Sequence, residues 1–404
     1  MNPSATCRRA CALATLAAVA FGAQAAEWSV EPRLNLRGLY GTNPRMQTKR
    51  YDGSVAAVLD TGAQMGVATE SGKFSFLPRG RFTRYEAYEI LKSDDLFINV
   101  AGERDWERLR AGFSVDYSLE STTTSEVLIS DVGDLRFEET SKRVNTWYLA
   151  PYLIWQASDR DNLQLNLGHT DTSYEQGLFS NLLDYKYKLA NLTYARQLCE
   201  ADRLTATVFH TRYIVPDNEL VAKSYAVLGG YEHAFGPTFK ANASLGRIVT
   251  VSDFVELGQP QDTVVRGFLI DAGAEKKLFA TTTLKAKFSR NVFPSSRGAQ
   301  STRDEYSASV EHNFSDRWWG SVNWRNLTSQ TQQQESTPNA ATSDLNRETT
   351  SIYAGMGYRL TRFWSLSGSY SYTEQQYTGD SDKSRGHALN LTLNYGGDRV
   401  AVSH

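Results

Sequence analysis

From Leu109 to Glu120 the chain alternates without a break. Leu109, Ala111, Phe113, Val115, Tyr117 and Leu119 fill one register; Arg110, Gly112, Ser114, Asp116, Ser118 and Glu120 fill the other. Successive side chains of a strand point to opposite faces, so one face lies in an apolar medium and the other in a wet one. The pattern recurs at Trp28–Tyr40, Thr282–Val292, Glu305–Phe314 and His387–Tyr395. About 18 such strands are legible, the weakest being 95–103 and 143–156. No stretch beyond the N-terminal segment has helical periodicity, so no helices are expected to cover the apolar faces. Closing the sheet removes its edges, and lipid takes the apolar face. The predicted fold is an all-β, transmembrane, antiparallel up-and-down barrel.

The connections point the same way. Short ones ("TESG", "ASDRD", "CEAD", "GPT", "SDR", "TRF") alternate with long ones ("STTTSEVLISDVGDLRFEETSK", "SDFVELGQPQDT", "SQTQQQESTPNAATSDLNRE"). Bacterial outer-membrane barrels alternate in this way between periplasmic turns and external loops. With an even strand number and a long connection first, both termini are predicted on the periplasmic side. Aromatics gather beside the short turns (Trp28, Phe235, Phe239, Phe314, Trp318, Phe363, Trp364). A second set lies near the long loops: Tyr40, Tyr85, Tyr174, Tyr213, Tyr306 and Tyr370. Two belts of amphipathic rings suit the two interfaces of a bilayer.

Residues 1–25 read as a secretory signal peptide, with Arg8-Arg9, an apolar run through Phe21 and Ala23-Gln24-Ala25. The expected organisation is that signal, a barrel over 26–396 and a short tail over 397–404, with the mature protein in the outer membrane of a Gram-negative cell. Outer-membrane lipid and lipopolysaccharide are then its partners. Of three cysteines only Cys199 follows the signal, so no internal disulfide is expected. Acidic and basic residues number 45 and 43, a balance that gives no reason to expect nucleic acid as a partner. The first strand follows the signal almost at once, leaving no room for a plug or a passenger domain.

Charge facing lipid near the midplane costs about 2–4 kcal/mol for Arg or Lys. The charged residues of the strands are therefore assigned to the lumen: Arg33, Arg37, Arg79, Arg81, Arg110, Asp116, Lys186, Lys188, Lys285, Lys287, Glu311 and Arg325, with Glu31, Asp60, Asp271 and Glu275. About 18 strands enclose an aqueous channel unless loops fill it. Cations concentrated on the first three strands suit an anionic polymer; compensating charges that brace the wall are the equal alternative.

Catalytic, cofactor and metal signatures are not found: there is no G-x-S-x-G, H-E-x-x-H, C-x-x-C, P-loop or EF-hand pattern. The nearest catalytic suspect is His169 with Asp171 on one strand face, for which a wetted lumen or rim position is the better account. No enzyme and no cofactor are expected.

One long segment carries a resemblance. "YLAPYLIWQASDRDNLQLNLGHTDTSYE", followed by "LLDYKYKLANLTYARQLCEADRLTATVFHTRY", resembles outer-membrane β-barrel proteins associated with exopolysaccharide and exosortase (PEP-CTERM) systems. The matching residues are Pro151, Trp155, Asp159, Arg160, Asp161, Leu163, Tyr174, Glu175, Leu183, Asp184 and Tyr185, with a second turn at Glu200–Leu204. The resemblance covers about a third of the chain, consists of turn chemistry and implies an accessory or channel role in exopolysaccharide export or assembly, with polysaccharide and periplasmic export machinery as partners. A general diffusion or sugar porin is the alternative on the same fold. An outer-membrane hydrolase and a plugged structural barrel are the others.

Overall fold

The computed structural model describes residues 26–404 except 44–45, 47–52, 88, 123–141, 176–182, 257–258, 295–299, 332–345, 378–381, 399 and 404. Residues 1–25, where a signal peptide is expected, and most of the two longest connections lie outside the described residues.

Nineteen strand segments form one antiparallel sheet. They are β1 (Glu27–Thr42), β2 (Ser54–Thr69), β3 (Gly72–Tyr85), β4 (Ser93–Asp105), β5 (Leu109–Ser121), β6 (Arg143–Gln156) and β7 (Asp161–Tyr174). Next come β8 (Tyr185–Gln197), β9 (Asp202–Val215), β10 (Leu220–Gly236), β11 (Phe239–Glu256), β12 (Gln259–Leu278) and β13 (Thr282–Pro294). The last are β14 (Gln300–Asn313), β15 (Trp318–Thr331), β16 (Arg347–Arg359), β17 (Trp364–Tyr377), β18 (Lys383–Gly396) and β19 (Val400–Ser403). Each strand from β1 to β17 pairs with the next, and β18 returns to β1 through the Arg33–Gly396 to Thr42–His387 register, so the sheet closes. Within that seam the Asn35 Nδ2 donates to Asn394 Oδ1 at 2.5 Å.

The tail after β18 takes part in the closure. Gly397 donates its amide to Pro32 O at 2.8 Å, and β19 then pairs with Glu27–Val30. β18 and β19 thus occupy one position in the wall, giving eighteen staves. Closure satisfies the backbone groups that an open edge would leave bare in lipid.

Pairing registers are continuous from strand to strand, so parity carries round the barrel and returns to β1 consistently. The outer register holds Leu36, Val208, Val227, Leu245, Val322, Leu389 and Leu391, all exposed. The inner register holds Asn35, Asp60, Arg81, Asp116, Lys285, Ser309 and Thr392. A row of large apolar side chains exposed on a closed wall is stable only against hydrocarbon. No helix among the described residues is long and apolar enough to cross a membrane.

Apart from β19, the strands run from 13 to 20 residues. About 9–11 residues suffice to cross hydrocarbon, so the strands project beyond it. That excess corrects two expectations. Lys186 and Lys188 pair with Asp171 and His169, and His169 pairs with Leu149, which places all four on the outer register. They stand beyond the apolar belt, where the outer surface is wet again and charge is tolerated. Of the second aromatic set, Tyr40, Tyr306 and Tyr370 face outward. Tyr85, Tyr174 and Tyr213 face inward instead, and Tyr213 is packed with Tyr185, Val215 and Leu220.

Candidate functional site

The interior wall is uneven. Near the long-loop end its inward residues are buried on most strands, among them Ala56, Thr83, Val144, Thr172, Tyr213, Ala222, Ser252, Leu327, Gln375 and Ser384. Along β9–β12 burial reaches further down, with Ala226, Ile248 and Leu269 packed against Phe209 and Leu228. On the other side, against β1–β8, lies a cavity of 770 Å³.

At the upper end of that space stand Arg37 (β1), Arg79 and Arg81 (β3). Asp60, on the strand between them, accepts from Arg79 Nη1 at 3.3 Å and from Arg81 Nε at 3.1 Å through the same Oδ2 atom. Its side chain is 13 % exposed, so both pairs are partly desolvated. Both guanidinium groups also lie over the Phe97 ring, at 4.2 and 5.0 Å from its centroid, where the ring quadrupole favours a cation. Among the described residues Arg37 has no carboxylate within ion-pair distance. Beyond Phe97, β5 presents Asp116 and Glu120 to the same interior. Asp116 Oδ1 accepts from Asn99 Nδ2 at 2.6 Å. The wall is thus bipolar: arginines on β1 and β3, carboxylates on β5, an aromatic face between.

Below lies the cavity proper, lined by Glu31, Lys73, Glu103, Tyr148, Tyr152, Asn166 and Asn191. Tyr152 Oη donates to Glu103 Oε2 at 3.0 Å, and Lys73 Nζ lies 3.6 Å from the other carboxylate oxygen. The Tyr152 ring folds onto Gly112, where a Cβ would stand 2.5 Å from it. Only a residue without a side chain lets the ring lie flat on the wall there. Tyr148 borders both this cavity and the smaller one beneath Arg79 and Phe97, so it joins the two levels.

Six further inward cations are matched in pairs. Lys285 Nζ lies 3.0 Å from Glu311, Lys287 Nζ 3.1 Å from Asp271, and Lys240 Nζ 3.5 Å from Glu275. Arg325 Nη2 donates to Glu305 at 2.7 Å, Arg33 pairs with Glu31 at 3.3 Å, and Arg110 pairs with Asp105. These are cross-strand or same-face braces in a wet interior, worth little each. Both sequence-level alternatives are therefore present: bracing pairs on β11–β15 and on β1 and β3–β5, and an excess of arginine around Asp60, where Arg79 and Arg81 share one carboxylate and Arg37 has none among the described residues.

Sequence reasoning passed over Tyr148 and Tyr152. Their strand, "WYLAPYLIW", is apolar in both registers, and that doubling is itself the signal: one register meets the outer medium and the other lines the cavity. The His169 suspicion dissolves in the geometry, since Asp171 is held by Lys186 Nζ at 3.4 Å on the outer rim. Among the described residues no group of three or more His, Cys, Asp or Glu is placed to hold a metal.

No family model and no curated protein matches the chain. Solved structures do resemble it in fold. The ferric citrate transporter FecA in its unliganded form matches with a TM-score of 0.52 and 10% identity, over 91% of this chain and 66% of that one. OccK2 (OpdF) from Pseudomonas aeruginosa matches with a TM-score of 0.50 and 10% identity, over 91% of this chain and 98% of that one. The outer membrane protein OpdK from the same organism matches at 0.48 and 11%, over 92% and 99%. At such identities the likeness to the first two concerns the fold alone, and it agrees with the closed barrel described above.

Proposed function

We propose that this chain is an outer-membrane channel for saccharides, acidic ones included, and that it serves exopolysaccharide export or assembly. The observation that carries the reading is the one-sided interior path, with arginines sharing Asp60 above and a cavity of tyrosines, amides and paired charges below. Sugars present hydroxyl edges, which are donors and acceptors together, and weakly apolar C–H faces. Asn166, Asn191 and Glu103 suit the edges, and the Tyr148 and Tyr152 rings suit the faces. A uronate carboxylate finds charge-assisted donors in Arg37, Arg79 and Arg81. The exopolysaccharide assignment rests on the resemblance of the Tyr148–Tyr213 segment. Burial of the inner wall near the long-loop end favours a narrow, solute-binding path over a wide diffusion pore.

Single-channel recording in planar bilayers tests the reading. Folded protein gives small, steady conductance steps that uronate oligosaccharides interrupt, and the Arg79→Ala/Arg81→Ala double variant shortens each interruption about tenfold, as loss of about 1.4 kcal/mol of binding requires. Absence of conductance, or blocking that ignores both the sugar and the variant, contradicts it. Deleting the gene and comparing secreted polysaccharide with small-sugar uptake separates export from nutrient entry.

A further inference from the structure

Beside Lys186 and Lys223, which have carboxylate partners, the outer rim of β8–β12 carries cations that have none among the described residues. Elsewhere near the long-loop end, several outward cations sit in matched sets with carboxylates. Arg290 grips Asp304 through two bonds of 2.6 and 2.5 Å, Arg84 pairs with Asp94 at 2.6 Å, and Lys383 and Arg385 share Glu374 at 2.7 and 2.8 Å. On β8–β10 the pattern breaks. Lys188 stands directly opposite Arg212, and Arg212 directly opposite Lys223, so three cations lie side by side across three strands. Like charges in directly opposed positions destabilise a sheet. Of the three, only Lys223 has a carboxylate partner, Asp253 at 3.3 Å. Lys188 and Arg212 are exposed and have none among the described residues. Arg247 and Arg266, exposed on the neighbouring β11 and β12, likewise have none; Arg247 lies over the Phe268 ring at 5.1 Å.

What lies beneath this row decides what it meets. In the same register and toward the short turns come Leu167, Leu192, Val208, Val227 and Leu245, all exposed. Lys188, Arg212 and Lys223 therefore stand on the long-loop side of these apolar residues, which in an outer membrane faces the headgroups of the outer leaflet; Arg247 and Arg266 lie lower on their strands, with Val249, Val251 and Val264 beyond them. A ligand suited to this surface carries phosphate at the height of Lys188 and Arg212 and acyl chains against the leucines and valines below. We infer that the β8–β12 rim is a binding site for the phosphates of an outer-leaflet glycolipid of the lipid A type, with Lys188 and Arg212 as the principal contacts. The site is on the opposite face of the wall from the channel, so it stands or falls independently of the transport reading.

Binding is measured on full-length mature protein in phosphocholine nanodiscs, with diphosphoryl lipid A, its fully dephosphorylated counterpart and inorganic phosphate as separate probes. The wild type is expected to bind diphosphoryl lipid A at least tenfold more tightly than the dephosphorylated form. Lys188→Gln/Arg212→Gln is expected to abolish that preference. Lys188→Arg keeps it, as does Lys383→Gln on another sector of the rim. Equal affinity of the wild type for the two lipids overturns the inference without recourse to any variant, and so does an unchanged preference in the double variant. Displacement of lipid A by millimolar inorganic phosphate also overturns it, because the site then reads a free anion and not a membrane lipid.

Discussion

Val322 and Asn323 are neighbours on β15 and face opposite media, which makes them a sharp test of the wall. Val322 lies on the outer register between Val310 and Ala354 and is 51 % exposed; Asn323 faces inward between Ser309 and Tyr353. Both sit well inside the strand, away from either interface. An arginine placed at Val322 must enter hydrocarbon, at a cost of about 2–4 kcal/mol near the midplane. At Asn323 it enters a wet interior already holding Ser309 and Tyr353, with a change of about 0.5 kcal/mol or less. The contrast with a water-soluble barrel is large. There, a half-exposed valine replaced by arginine also changes stability by only about 0.5 kcal/mol. The assay is reversible denaturant unfolding in lipid vesicles, followed by tryptophan fluorescence, for Val322→Arg, Asn323→Arg and the parent. A difference of about 2 kcal/mol or more between the two variants, with Val322→Arg the weaker, is predicted. Equal costs, or the reverse order, refute the assignment of the two faces.

Other consequences follow from single contacts. Asp60→Asn removes the carboxylate shared by Arg79 and Arg81, and the reversal potential in a salt gradient shifts toward anion permeation. Gly112→Ala pushes the Tyr152 ring off the wall and breaks its bond to Glu103, costing about 1–3 kcal/mol of stability by overpacking and altering the dwell of saccharides in the cavity. Truncation after Gly397 removes β19; amides of Glu27–Val30 that it covers then exchange rapidly with deuterium while those of the β1–β18 seam remain protected.

Much of this architecture was written in the alternation of residues. Strands such as Leu109–Ser121 read cleanly because a single apolar register faces outward along the whole of their length. The two weakest candidates, 95–103 and 143–156, also form strands, Ser93–Asp105 and Arg143–Gln156. The second was obscured because Tyr148, Tyr152 and Ile154 make its inner face apolar too. Lys186 and Lys188 were misplaced for a physical reason: the rule that charge points inward holds only at the depth of the hydrocarbon, and β8 extends beyond it. Above the belt the polarity of "YKYK" inverts, with tyrosines packed inside and lysines outside. Tyr85, Tyr174 and Tyr213 were misassigned by the same inversion. Sequence alone also does not pair charges across strands. Lys285 and Glu311 brace the wall, whereas Arg37 meets no carboxylate among the described residues, because of registers that only the closed sheet defines.

The two-faced wall is tested most directly along β18 from His387 to Tyr395. Spin labels are introduced one position at a time in a Cys199→Ser background, and collision with oxygen, which favours lipid, is compared with collision with a water-soluble nickel chelate. Both accessibilities should vary with a period of two and out of phase, oxygen highest at Leu389, Leu391 and Leu393 and the chelate highest at Asn390, Thr392 and Asn394. Two profiles that rise and fall together, or a repeat near 3.6, would contradict a barrel with lipid outside and water within.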